Sequence, residues 1–339
     1  MTAPRVAVLG SGANGSSIGA DLVDAGVDVT LVEQWPAHVE AIRADGLTII
    51  QPHGARTVHP RTLHLCQVAE ERHPFDVVLI VMKAYDTRWA AELIGSALAP
   101  DGVVAAVQNG LTTDAVARAV GEHRTVGTVI EVSATMTEPG VVHRHTPPPR
   151  SWFAVDAGAR GDRVADLLAH AGTVARFADI ASAKWMKLVS NASVLVPTAL
   201  LGAPMLDAIG VPGMRATMRD AGREALAVGR ARGHRMLPIF GLEDSDLTES
   251  DEVVDRMLDI LYDRFVVAGA TTTVLQDWSK GRRSEAEDIN GLIAAEGARL
   301  GVPTPVNAEI VRLARAVERG ELEPGPSVAP ALTGATSDQ

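Results

Sequence analysis

The chain has 339 residues, 46% hydrophobic but only 4% aromatic, which allows two packed domains with cores of Ala, Val, Leu and Ile. A formal net charge of −11 argues against nucleic acid as a partner, because phosphate binding needs a basic face. One cysteine, Cys66, excludes an intramolecular disulfide and suits a reducing, cytoplasmic setting.

The first apolar run, Arg5–Leu9, reads as a strand rather than a signal sequence, because glycines interrupt it. It passes into Gly10-Ser11-Gly12-Ala13-Asn14-Gly15, a G-x-G-x-x-G loop, and then a helix over 14–25. The next apolar run, Val27–Val32, ends on Glu33. Strand, glycine loop, helix and a strand-end acid together mark a dinucleotide site. Gly10 permits the tight turn, Gly12 lets backbone approach a pyrophosphate, and Gly15 lets helix pack on strand. The helix N-terminus at Ala13 and Asn14 offers unpaired N–H groups and a positive dipole end to phosphate. Glu33 would accept hydrogen bonds from a ribose diol and repel a 2′-phosphate, which favours NAD(H). The plainer alternative is a tight strand–helix turn without ligand.

Further strand signals fall at Leu47–Ile50, Asp76–Met82 and Gly102–Val107, alternating with helical stretches at 36–44, 86–98 and 112–120. The continuous apolar run at 76–82 suits a parallel strand covered on both faces. The pattern predicts an α/β, Rossmann-type doubly wound sheet with ligands at the strand carboxyl ends. Two such ends carry polar groups, Lys83 and Asn109. A strand-end lysine is otherwise simply solvated, and Asn109-Gly110 is otherwise a turn pair.

From Thr125 the signals shorten, with strands at Thr125–Thr137, Gly140–His145 and Trp152–Val155, a helix near 161–171 and a strand at Val174–Phe177. These complete a dinucleotide-binding domain over 1–178. An all-α substrate and catalytic domain over 179–320 follows, with helical periodicity at 180–202, 205–232, 250–267, 284–300 and 306–319. Thr248-Glu249-Ser250-Asp251 sits where the third of these helices needs an N-cap. Leu188–Leu206 is uncharged, but its Ser, Asn, Pro, Thr and Gly content reads as buried helix rather than a bilayer span. The tail 321–339, rich in Pro, Gly, Ser and Ala, reads as disordered. A cleft between the domains is the expected active site, and Ala- and Leu-rich faces of the helical domain are compatible with a homodimer.

Reducing a ketone demands a cofactor holder, a general acid and groups that grip the substrate. Lys187 and Asn191 are four apart and share one helix face. A lysine beside apolar groups is a usable proton donor, although a lone helical lysine is more often solvated. Ser284-Glu285 starts a later helix, where an acid could serve only the helix dipole. No cluster has the ligand spacing of a metal site.

The amino-terminal glycine loop, Met82-Lys83-Ala84, Asn109-Gly110, Trp185-x-Lys187-Leu188-x-x-Asn191 and Gln276-Asp277…Gly281-Arg282…Glu285…Ile289-Asn290-Gly291, in this order, resemble the ketopantoate reductase (2-dehydropantoate 2-reductase) family from Val6 to about Asn307. The resemblance implies that Lys187 protonates the forming alkoxide, Asn191 holds substrate, and Glu285 binds the substrate hydroxyl and orders Lys187. Lys83 and Asn109 would line the cofactor and substrate side of the cleft. It also implies reduction of 2-dehydropantoate with NADPH, a step toward pantothenate. Three positions depart from the pattern. Leu195 stands where a second substrate asparagine is common, Thr273 where a serine contacts the carboxylate, and Glu33-Gln34-Trp35-Pro36 where an arginine often meets the 2′-phosphate. The expectation is a cytoplasmic NAD(P)H-dependent reductase of ketopantoate or a similar branched 2-oxo acid, with NADH favoured. Two alternatives stay open: an NAD-dependent dehydrogenase of another hydroxy acid or sugar-derived alcohol, and a non-catalytic NAD(H)-binding regulator.

Overall fold

The computed structural model describes residues 4–247 and 252–334. The chain divides between Ala181 and Ser182 into two compact units.

The first unit begins β1 (Arg5–Leu9), α1 (Ala13–Asp24), β2 (Asp28–Glu33) and α2 (Pro36–Asp45). Next come β3 (Leu47–Gln51), β4 (Gly54–Val58), β5 (Arg61–His64), β6 (Phe75–Ile80), α3 (Thr87–Gly95), β7 (Leu98–Ala106) and α4 (Thr113–Val120). It finishes with β8 (Thr125–Val126), β9 (Thr128–Glu131), β10 (Ala134–Glu138), β11 (Val141–Arg144), β12 (Trp152–Asp156), α5 (Ala159–Leu168) and β13 (Thr173–Phe177). Six strands form one parallel sheet in the order β5-β2-β1-β6-β7-β8. Val6 and Val8 feed one apolar cluster and Ala7 and Leu9 another, so alternate residues of β1 bury both faces of the sheet. The strand order reverses between β1 and β6, which puts the glycine loop and the Lys83 loop at the switch point.

Some expected strands land elsewhere. Leu47–Gln51 pairs in a separate sheet, β10-β11-β3-β4, and the third strand of the main sheet is instead β5. Arg61-Thr62-Leu63-His64 lacks an apolar run because it is an edge strand with one face to cover. The run expected at 125–137 breaks into three strands shared among the three sheets, with Gly127 N–H donating to the Asp156 carboxylate at 2.5 Å at the first break.

The second unit is largely helical: α6 (Ile180–Leu200, entering from the first unit), α7 (Met205–Ile209), α8 (Met214–Ala231), α9 (Glu252–Arg264), α10 (Thr273–Ser279), α11 (Leu292–Leu300), α12 (Pro305–Glu318) and α13 (Ala329–Thr333). The helix expected over 205–232 is two, divided where Gly213 takes φ +83°. The helix expected from 284 instead opens with a π-turn, Glu287–Gly291. The N-cap expected at 248–251 lies outside the described residues. Disorder from 321 is corrected over 321–334: α13 forms there, and Val328 and Leu332 are buried in the cluster built by Val194, Met214 and Ile310. Apolar residues four apart, docked on a helical surface, outweigh the Pro and Gly content around them.

Candidate active site

Each glycine of the first loop has its own steric setting. Gly10 leaves β1 at φ +93°, and a Cβ there would lie 2.8 Å from the Val81 carbonyl oxygen. A Cβ on Gly15 would collide with the Gly10 carbonyl oxygen, so loop and helix close only with hydrogen at both places. Gly12 is different, since nothing lies within 4 Å of the position a Cβ would take. The fold leaves that direction open, as bare backbone offered to a ligand must be. The first turn of α1 has no acidic residue and no side-chain cap, which leaves its N–H groups to an anion. The Asn14 Oδ1 is buried there without a hydrogen-bond partner.

At the end of β2, Glu33 is 5% exposed, and its Oε1 accepts the N–H groups of Gln34 at 2.8 Å and Trp35 at 3.0 Å. The carboxylate is therefore fixed at the strand end and also caps the turn, a duty that sequence patterning does not reveal. Behind the loop, buried His38 accepts the Gly140 N–H at 2.8 Å on Nδ1, and its Nε2 lies 3.1 Å from the Ser16 hydroxyl. Burial holds the His38 imidazole below its ordinary pKa.

The two polar strand ends also meet. Gln108 donates from Nε2 to the Met82 carbonyl at 2.7 Å and the Lys83 carbonyl at 3.2 Å, and its Oε1 accepts the Thr87 hydroxyl at 3.0 Å. This strap fixes the backbone that carries half-buried Lys83. Neighbouring Asn109 keeps a buried, unpartnered Oδ1 beside Gly110, which sits at φ +76°. One amide of the pair ties the loop, and the other keeps its oxygen without a partner.

In the helical unit, Lys187 and Asn191 sit on α6 at 7% and 2% exposure. The Lys187 ammonium lies 5.3 Å from the centroid of the Phe240 ring. The Asn191 Nδ2 is buried and unpartnered, as is the Thr273 Oγ1 in the first turn of α10. Glu285, 5% exposed, precedes the π-turn, a distortion that recurs at functional sites. Val194, Val274 and Ala286, close in sequence to Asn191, Thr273 and Glu285, share one apolar cluster, so the structure brings these three segments together. Leu195 packs on that cluster as an apolar wall.

Residues far apart in sequence hold this arrangement. Asn290 Nδ2 donates to the Ala192 carbonyl at 2.9 Å and to Asn307 Oδ1 at 2.8 Å, tying the π-turn to α6. Asn307 Nδ2 in turn donates to the Ala221 carbonyl at 2.9 Å and to Glu224 Oε2 at 2.7 Å. The Glu318 carboxylate accepts the Ser284 hydroxyl at 2.6 Å and its N–H at 3.0 Å, anchoring the corner next to Glu285. Asp288, in the same turn, has its pKa raised by burial first and by the nearby Glu285 charge second. Among the described residues, no helix is long and apolar enough to cross a membrane, and no group of three or more His, Cys, Asp or Glu is placed to hold a metal.

Family models match both units of the chain. The model described as ketopantoate reductase PanE/ApbA matches residues 6–156, and its C-terminal counterpart matches 179–318. A 2-dehydropantoate 2-reductase from Caulobacter vibrioides is 30% identical over 326 residues, covering 92% of this chain and 98% of the relative. The structure of a PanE/ApbA family ketopantoate reductase from Ralstonia eutropha JMP134 superposes with TM-score 0.79 at 29% identity, over 94% of this chain and 99% of that one. D-mandelate dehydrogenase, solved with NADH and anilino(oxo)acetate, superposes with TM-score 0.82 at 20% identity over 94% and 99% of the two chains, a likeness of fold.

Proposed function

We propose that this chain, which belongs to the ketopantoate reductase family, is a cytoplasmic oxidoreductase that reduces 2-dehydropantoate, or a similar branched 2-oxo acid, to the 2-hydroxy acid. Gly10, Gly12, Ala13, Asn14 and Gly15 would hold the diphosphate of NAD(P)H, Glu33 its adenosine ribose, and Lys83 and Asn109 its nicotinamide side. Reduced nicotinamide, when bound, supplies a hydride to the carbonyl carbon. As the C=O π pair moves onto oxygen, Lys187 Nζ delivers the proton and leaves a neutral amine. Asn191 and Thr273 grip the substrate's carboxylate and carbonyl, and Glu285 binds its hydroxyl and orders Lys187.

The observation that carries this reading is that, among the buried polar atoms left without partners, four fall at the motif positions: Asn14 Oδ1, Asn109 Oδ1, Asn191 Nδ2 and Thr273 Oγ1. Buried polar atoms are nearly always satisfied, so orphans at motif positions mark where a ligand completes the hydrogen bonding. The same atoms speak against a regulator that binds dinucleotide alone, since Asn191 and Thr273 have no cofactor to serve. Glu33 favours NADH over NADPH because a buried carboxylate fixed at the ribose position repels a 2′-phosphate. A homodimer remains part of the proposal.

The test is turnover of ketopantoate with NADH and NADPH side by side, alongside other 2-oxo acids and the corresponding hydroxy acids with NAD. Ketopantoate reduction faster with NADH is expected. Turnover of a hydroxy acid alone would establish the oxidative alternative, and tight NADH binding without any turnover would establish the regulator.

A further inference from the structure

Phe240 is the only non-glycine residue at positive φ among the described residues, at 32°, and it is 2% exposed. It occupies a turn closed by the Leu242 N–H on the Ile239 carbonyl at 2.9 Å, with Gly241 following at φ +110°. Two consecutive positive-φ residues are the signature of a mirror-image turn, a place for Asn-Gly or Gly-Gly. A bulky aromatic there is strained, and such strain persists where the surroundings impose it and concentrates at functional sites. The Phe240 ring meets the Phe265 ring edge-to-face, with centroids 5.8 Å apart and planes at 82°. It also lies 5.3 Å from the Lys187 ammonium, within range of a cation–π contact.

We propose that Phe240 is a positioning residue for the proton donor, its strained turn presenting the ring to the Lys187 ammonium and Phe265 fixing the ring's tilt. Burying an ammonium is costly, and a ring face offsets part of that cost without accepting the proton. The ring holds the cation and leaves the proton transferable. Its role rests on the function proposed for Lys187, but the contact itself is testable without any substrate.

The chain has four lysines, Lys83, Lys184, Lys187 and Lys280, so [ε-13C]lysine labelling gives a simple spectrum, assigned by Lys187→Arg. The Lys187 methylene should show an upfield ring-current shift that Phe240→Leu abolishes, and an unshifted wild-type signal overturns the contact. In ketopantoate turnover, replacing Phe240 with 4-fluoro-, 3,5-difluoro- and 3,4,5-trifluorophenylalanine drains the ring face at nearly constant shape. A stepwise fall in kcat is expected, reaching on the order of tenfold, with KM for NADH unchanged. Phe240→Leu should fall as far, and Phe240→Tyr should stay within about twofold. A flat fluorination series, or Phe240→Leu at the wild-type rate, overturns the positioning role. If ketopantoate is not turned over, the proposed function fails, while the spectrum still decides the contact.

Discussion

The two units set their candidate functional groups by different means. In the first, functional groups lie at strand ends and are placed by local sterics: Gly10 and Gly15 interlock, and Gln108 straps adjacent loops. In the second, Lys187, Asn191, Thr273 and Glu285 come from three segments held together by Asn290, Asn307, Glu224 and Glu318. A motif carries its own geometry in the first case, while in the second the geometry is tertiary. Substitutions in the second unit should therefore separate chemistry from cofactor binding more cleanly than those in the first.

The largest effect is expected from Lys187→Ala, which should lower kcat roughly a hundred- to ten-thousandfold, the usual span for loss of a general acid. NADH binding, followed by its fluorescence, should be unchanged. A parallel loss of NADH affinity would erase the distinction between the units.

Asn307→Ala removes the hub of a buried network, leaving Asn290 and Glu224 partly unpaired. Denaturant melts should show a loss of about 2–4 kcal/mol, with kcat reduced as α6 and the π-turn lose register. Full stability in the variant would mean that the tertiary network does not hold the candidate groups of the helical unit in place.

Glu33→Gln keeps an acceptor for the Gln34 and Trp35 amides while removing the charge. The ratio of kcat/KM for NADPH to that for NADH should rise about five- to tenfold, since a charge repulsion screened by water is on the order of 1 kcal/mol. An unchanged ratio would mean that the carboxylate serves only the turn.

The smallest effect concerns His38. Its lowered pKa means that the folded chain binds fewer protons than the unfolded one once pH drops below the ordinary value of 6.5. Stability should fall from there downward, and thermal melts of His38→Asn should show a shallower decline.

Much of the first unit was legible because its signals are short-range. The glycine loop, the apolar runs of β1, β2 and β6 and the acid at Glu33 each follow from neighbours in sequence. Edge strand β5 was not legible, since Arg61-Thr62-Leu63-His64 has too little apolar surface to stand out, and Leu47–Gln51 reads as a strand without revealing its sheet. In the helical unit, periodicity locates α6, α9 and α12. It does not show that Gly213 divides a helix, that a π-turn follows Glu285, or that Leu332 anchors the C-terminal segment. Lys187 and Asn191 were legible as one helix face. Phe240 was not, because nothing local predicts an aromatic residue in a glycine-type turn.

Whether Lys187 gives the proton is decided by chemical rescue. Small primary amines added to Lys187→Ala should restore ketopantoate reduction in a saturable manner, without changing the affinity for NADH. A folded Lys187→Ala enzyme that already turns over near the wild-type rate would show that another group gives the proton, and so would one that no amine restores.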